Sequence, residues 1–206
     1  MYETDWLLFI AQLPATPSSL RVSVWRKLRG AGAASLQNGV WILPRDPDNT
    51  RFMERLLGYV RQNEASGQVF TVQGLNQTVH EDILARFVAD RDQEYAEFLE
   101  QCQAFLAELD KETGEQKFTF AELEENEHNL QRLRKWLAKI QKRDFLQAGK
   151  SQQALAAFQE CRQRLQVYTR QVYQREGIEM AQGADFLSQE TELPGQETGD
   201  EGEDQA

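Results

Sequence analysis

The stretch Ala34-Ser-Leu-Gln-Asn-Gly-Val-Trp-Ile-Leu-Pro44 holds a short mixed piece, an Asn-Gly pair and an apolar run closed by proline. Asn38-Gly39 is a strong hairpin signal, because both residue types tolerate positive φ. Ala34–Gln37 then reads as a short strand and Val40–Leu43 as its partner. The competing geometry is a single strand bulged at Gly39.

Working outward, Gly30 and Gly32 stop a helix that begins near Leu20, with Leu20, Val24, Leu28 and Ala31 as its apolar stripe. Pro17-Ser18-Ser19 supplies a serine cap. Before it, Trp6–Leu13 is almost wholly apolar, as a strand in the middle of a sheet should be. Beyond the opening stretch, 45–49 reads as a loop, and Asn49 or Thr50 caps a helix over about 51–63. Gln68–Val72 is a further strand. The order β-α-β-β-α-β is that of a ferredoxin-like unit.

From His80 the spacing changes to three and four residues, the mark of long amphipathic helices. The first runs to Thr113-Gly114. A capping box at Thr119-Phe-Ala-Glu122 starts the second, which Gly149 ends. Ser151 caps the third, with Leu155, Phe158, Leu165, Tyr168 and Val172 as its stripe. These stripes should bundle together or clasp the ferredoxin-like unit. The expected class is therefore α+β: a ferredoxin-like βαββαβ unit over 1–78, a helical region of three long helices over 79–176, and an acidic, disordered tail over 177–206.

Charge is segregated along the 206 residues. The formal net charge is −10, yet nine acids and no Lys or Arg lie after Gly177, so the body is almost neutral. Asn76–Gln131 carries 15 acids against 4 bases, and Arg132–Arg175 carries 11 bases against 2 acids. Such blocks pair with each other or attract opposite charge. The tail could fold over the basic helix and compete with nucleic acid there. Cys102 and Cys161 stand far apart inside helical patterns, which is no disulfide framework and suits a reducing compartment. Acids ahead of the apolar start argue against a signal peptide, and no apolar run reaches membrane-spanning length. The expectation is a cytoplasmic protein without a membrane partner.

No Gly-rich phosphate loop, Cys-x-x-Cys pair or nucleophile elbow occurs. Glu124 and His128 share a helix face but fall short of the ligands a zinc site needs. Small ferredoxin-like nucleases keep an aspartate after the first strand, where this chain has Leu13-Pro14. The chain is expected to be non-enzymatic, with no catalytic residues, metal or cofactor; a metal-dependent nuclease is the weaker alternative.

Basic surfaces remain. The first helix carries Arg21, Arg26, Lys27 and Arg29, with Trp25 and Val22 off its core stripe. Trp25 is expected to pack on the helical region, the alternative being a face turned to a partner or nucleic acid. The densest run holds Arg132, Arg134, Lys135, Lys139, Lys142 and Arg143. It reads either as a solvated face paired with the acidic long helix, or as a site for phosphate backbone or a small oxyanion.

Trp6-Leu-Leu-Phe-Ile10, Ser19–Arg29 with Trp25-Arg26, Gly32–Pro44, Phe118–Glu124, Leu130–Trp136 and Lys142-Arg-Asp-Phe145 together resemble the N-terminal domain of the chromate-resistance protein ChrB, over residues 5 to 175. The middle block is more faintly similar to the central domain of the PaaX repressor. The resemblance implies a regulatory role in chromate resistance, with DNA binding and chromate sensing as its activities. It marks Arg21, Trp25, Arg26, Arg132, Arg143 and Asp144 as motif positions, Arg143-Asp144 being open to reading as a structural ion pair. Full-length members carry a further C-terminal domain where this chain has its tail, so a stand-alone module is expected. Its expected partners are DNA, chromate, and a second copy or a separately encoded C-terminal-type protein.

Overall fold

The computed structural model describes residues 5–14, 16 and 18–178. The expected disorder of the acidic tail concerns residues outside these, apart from Gly177 and Ile178. Four strands, β1 (Trp6–Gln12), β2 (Ala34–Gln37), β3 (Val40–Pro44) and β4 (Ser66–Val72), form one sheet in the order β2-β3-β1-β4, every neighbour antiparallel. Helices α1 (Ser19–Ala31) and α2 (Pro47–Gln62) complete the βαββαβ order. Three long helices follow: α3 (Gln77–Gly114), α4 (Phe120–Gln141) and α5 (Ser151–Arg175). This is the expected α+β class, a ferredoxin-like unit and a helical region.

The opening stretch is a hairpin that also contains a bulge. Gln37 pairs with Val40 around Asn38-Gly39, and the irregularity falls between Ser35 and Gln37 rather than at Gly39. Only Gly39 of the pair takes positive φ, +77°. A methyl group there would lie 2.6 Å from the Ala11 carbonyl oxygen, and the Gly39 carbonyl accepts from Ala11 N–H at 2.9 Å. Glycine is needed both for its backbone angle and for this close approach to β1.

The chain divides into two compact units. The first comprises residues up to Tyr95 together with Ile140–Ser151; the second comprises Ala96–Lys139 and the chain from Gln152. In the first, alternation sends Leu7, Phe9, Trp41 and Leu43 to one sheet face, where Leu20, Val24 and Leu28 of α1 and Met53, Leu56 and Val60 of α2 bury them. Trp6, Ala34 and Ile42 face the other way and meet Ile83 and Phe87 from the start of α3. The Trp6 and Phe87 rings stack at 5.5 Å between centroids. The central strand β1 is thus apolar on both faces because helices cover both.

The caps differ from expectation in three places. Ser18 makes no side-chain cap bond on α1, whose far end is closed by Gly32 at φ +82°. Helix α2 starts four residues early: Asp46 is its N-cap, accepting from Asn49 N–H at 2.7 Å, and Pro47 fills the first turn where no N–H is needed. Helix α4 ends at Gln141 and not at Gly149. Thr119 caps α4 as the capping box requires, its hydroxyl accepting from Glu122 N–H at 3.3 Å.

In the second unit the stripes are buried as their spacing demands: Phe98, Cys102, Phe105 and Leu109 of α3; Leu123, Leu130, Leu133 and Leu137 of α4; Phe158, Cys161, Leu165, Tyr168 and Val172 of α5. Phe98 meets Trp136 edge to face, and Phe118 lies against Tyr168.

Candidate anion-binding faces

The basic residues singled out in the sequence have three different fates. The first belongs to α1. Burying Leu20, Val24 and Leu28 leaves the rest of the helix surface outward: Arg21, Val22, Trp25 and Arg26 are exposed and Arg29 partly so. Trp25 keeps 51% of its surface exposed and Val22 39%, so the expected burial of Trp25 does not occur. Arg21 and Arg26 are exposed and form no ion pair among the described residues. Arg29 is partly committed, with Asp90 at 3.8 Å. Lys27 sits 4.9 Å over the Tyr59 ring, a cation–π contact.

The second fate belongs to α4. Leu130, Leu133, Leu137 and Ile140 are buried. At 100° per residue, Arg132, Lys135 and Lys139 fall within about 60° of one another on the roughly opposite side. All three are exposed, and none forms an ion pair among the described residues. The expected pairing with the acids of α3 does not engage them. Arg132 donates to its own helix neighbour Asn129 at 3.3 Å. The stripe stands in the C-terminal half of α4, while Glu122, Glu124, Glu125 and Glu127 occupy the N-terminal half. Lys139, in the last turn, suits the helix dipole. Arg134 is half-buried and has partners of its own. Lys142 is exposed but lies past the end of α4, in the segment belonging to the first unit.

The third fate is that of Arg143. Its Nη2 lies 2.6 Å from Glu94 Oε2, and its side chain is 18% exposed. Glu94 Oε1 also takes Arg91 Nη2, at 3.3 Å. Arg91 is 3% exposed, and its Nε and Nη1 have no partner among the described residues. Burial pulls the Arg91 guanidinium below its ordinary value, against the attraction of Glu94. Asp144 does not pair with Arg143; it accepts from the Tyr95 hydroxyl at 3.0 Å and from Ala148 N–H. Burial, then Asp144, push the Tyr95 phenol upward. Adjacent residues Glu94-Tyr95 thus grip adjacent residues Arg143-Asp144. Phe145 follows, edge-on to Phe87, and packs beside Gly32. The motif ties the segment after α4 to the first unit.

Sequence reasoning missed Glu94, Tyr95 and Arg91. A signal existed: Arg91 occupies a stripe position between Phe87 and Phe98, where only a buried, partnered arginine can stand. Asp5, ahead of β1, is also structural. It accepts from Arg45 and Gln73, both at 2.8 Å, and those two donors, Gln73 first, lower its pKa below the usual carboxylate value. No acid follows β1. Glu124 and His128 are exposed, and among the described residues no three His, Cys, Asp or Glu gather as metal ligands would. Nor is any helix among them long and apolar enough to cross a membrane.

The family model "Protein ChrB, N-terminal" matches residues 21–179. The chain belongs to the ChrB N-terminal family. It is 30% identical over 97 residues to Protein ChrB of Cupriavidus metallidurans; the aligned part is 47% of this chain and 29% of that protein. The chain thus matches less than a third of that ChrB. No solved structure matches. Every basic residue described above, and Trp25, lies inside the ChrB N-terminal match, whereas β1 precedes it.

Proposed function

We propose that this chain is a non-enzymatic regulatory module of chromate resistance that binds the phosphate backbone of DNA through the α4 stripe. The observation that carries the reading is the unpaired, exposed set Arg132, Lys135 and Lys139 on a face opposite the core. Cations that hold nothing within the fold remain available to neutralise phosphates and release their counterions. Backbone contacts of this kind position a protein on a duplex without reading its sequence. The link to chromate resistance comes with the ChrB family. The same guanidinium and ammonium groups would also take a small oxyanion, which makes chromate a candidate effector.

Fluorescence anisotropy with DNA from upstream of the protein's own gene tests the reading. Binding that weakens steeply with salt and is released by chromate but not by sulfate supports a sensor. Binding that chromate leaves unchanged supports a DNA module without sensing. Absence of binding at low salt contradicts the reading.

A second reading rests on Trp25. A half-exposed tryptophan between Arg21 and Arg26 is the composition of a protein-docking anchor, for a second copy or for a C-terminal-type partner protein. Sedimentation of the chain alone, and pull-down with wild type against Trp25→Ala, distinguish the two. A monomer whose captured partners are unaffected by Trp25→Ala counts against it.

A further inference from the structure

Cys102 and Cys161 read as unrelated in the sequence, yet the fold brings them together inside the second unit. Cys102 lies on the buried stripe of α3 between Phe98 and Phe105, and Cys161 on that of α5 between Phe158 and Leu165. Their exposures are 1% and 0%. The Cys161 thiol points at Cys102: its Sγ lies 3.7 Å from the Cys102 carbonyl oxygen, across 59 residues of sequence. The Cys161 thiol thus reaches the backbone of Cys102 itself, with both residues in the same buried layer.

We propose that Cys102 and Cys161 are a redox pair that closes to a disulfide between α3 and α5 when the protein meets a hydroperoxide. The two cysteines meet across α3 and α5 in an apolar setting, and the site is independent of the basic faces. Cys102 is the attacking sulfur. The neighbouring Cys161 side chain draws the Cys102 thiol below the ordinary range, while Cys102, then burial, pushes Cys161 up and keeps it protonated. In the first step the Cys102 thiolate attacks one peroxide oxygen. An S–O bond forms, the O–O bond breaks, and hydroxide leaves and is protonated. In the second, Cys161 sulfur attacks the Cys102 sulfenic acid; an S–S bond forms, the S–O bond breaks, and the hydroxyl leaves as water with the Cys161 proton. Overall, with hydrogen peroxide as the hydroperoxide, two thiols and one peroxide give one disulfide and two waters. Burial requires a small oxidant and excludes bulky aromatic disulfide reagents.

The test treats the reduced full chain with hydrogen peroxide, removes the peroxide, and alkylates the remaining thiols in denaturant. The expected result is loss of both alkylatable thiols, a mass lower by two hydrogens, a Cys102–Cys161 linked peptide, and recovery with a dithiol reductant. The thermal midpoint of the oxidised form should rise by on the order of 10 °C, as a long closed loop implies. In Cys161→Ser, Cys102 should stop at a sulfenic acid that a carbon-nucleophile probe traps. Two thiols still alkylatable after peroxide, oxidation to sulfinic or sulfonic acid without a link, or a link only between chains would each overturn the proposal. The wild-type peptide map decides even if the serine variant fails to fold.

Discussion

Lys139 and Arg143 stand four residues apart in one basic run, yet they belong to different compact units and to different physics. Arg143 is half-buried against Glu94, which it shares with the fully buried Arg91. Lys139, with Arg132 and Lys135, is exposed and holds no acid. Charge density along the sequence does not distinguish a cation that holds the fold from one left over for a partner. What distinguishes them is whether a carboxylate waits on the facing element.

The sharpest way to break this comparison is Glu94→Ala. It leaves the buried Arg91 and the half-buried Arg143 against no shared carboxylate, and removing the partner of a buried charge typically costs about 3–5 kcal/mol. Denaturant unfolding should show a drop of about 3 kcal/mol. A change below about 1 kcal/mol, the range of exposed pairs, would place Arg143 with the surface cations. Gly39→Ala should come next, at about 2 kcal/mol, from positive φ and the clash with the Ala11 carbonyl. An unchanged unfolding midpoint would mean that the hairpin does not press on β1 as described.

Glu112→Gln sharpens the comparison from the side of the second unit. Glu112 is buried there, accepting from Asn126 at 2.7 Å, and burial raises its pKa. The folded state therefore holds that proton more tightly than the unfolded state. Stability from this group is greatest at acid pH and falls as pH rises from its ordinary value of 4.5 through the raised one. Glu112→Gln should then gain on wild type as pH rises from 4 to 7. A difference that does not vary with pH would contradict the assignment. The smallest stability effect is expected for Arg132→Ala/Lys135→Ala/Lys139→Ala, within about 0.5 kcal/mol of wild type, because these side chains hold nothing in the fold.

The strands and stripes were legible because period two and period three-to-four are imposed by burial itself. Trp6–Phe9 and Leu20-Val24-Leu28 could hardly be read otherwise. Helix ends were less so. Asp46-Pro47 was passed over although aspartate before proline is a helix start. Gly149 drew the end of α4 too far, because the segment that follows Gln141 is fixed by Tyr95 and Glu94, which lie far away in sequence. The polar residues that stand on apolar stripes were legible in principle. Arg91, Glu112 and Asn126 each occupy a core position, and a core position demands a partner. Which partner, and that Cys102 would meet Cys161, depended on helix packing that one sequence does not carry. Trp25 departs from expectation because large aromatics are usually covered and this one is not.

The most direct test of the committed-versus-free distinction is the salt dependence of DNA affinity in wild type and in the Arg132/Lys135/Lys139 triple alanine variant, with unfolding of both followed in parallel. Each lost phosphate contact should reduce the slope of log affinity against log salt by about 0.9, so three contacts predict a slope shallower by about 2 to 3, at unchanged stability. An unchanged slope, or a variant that no longer folds, would contradict the account.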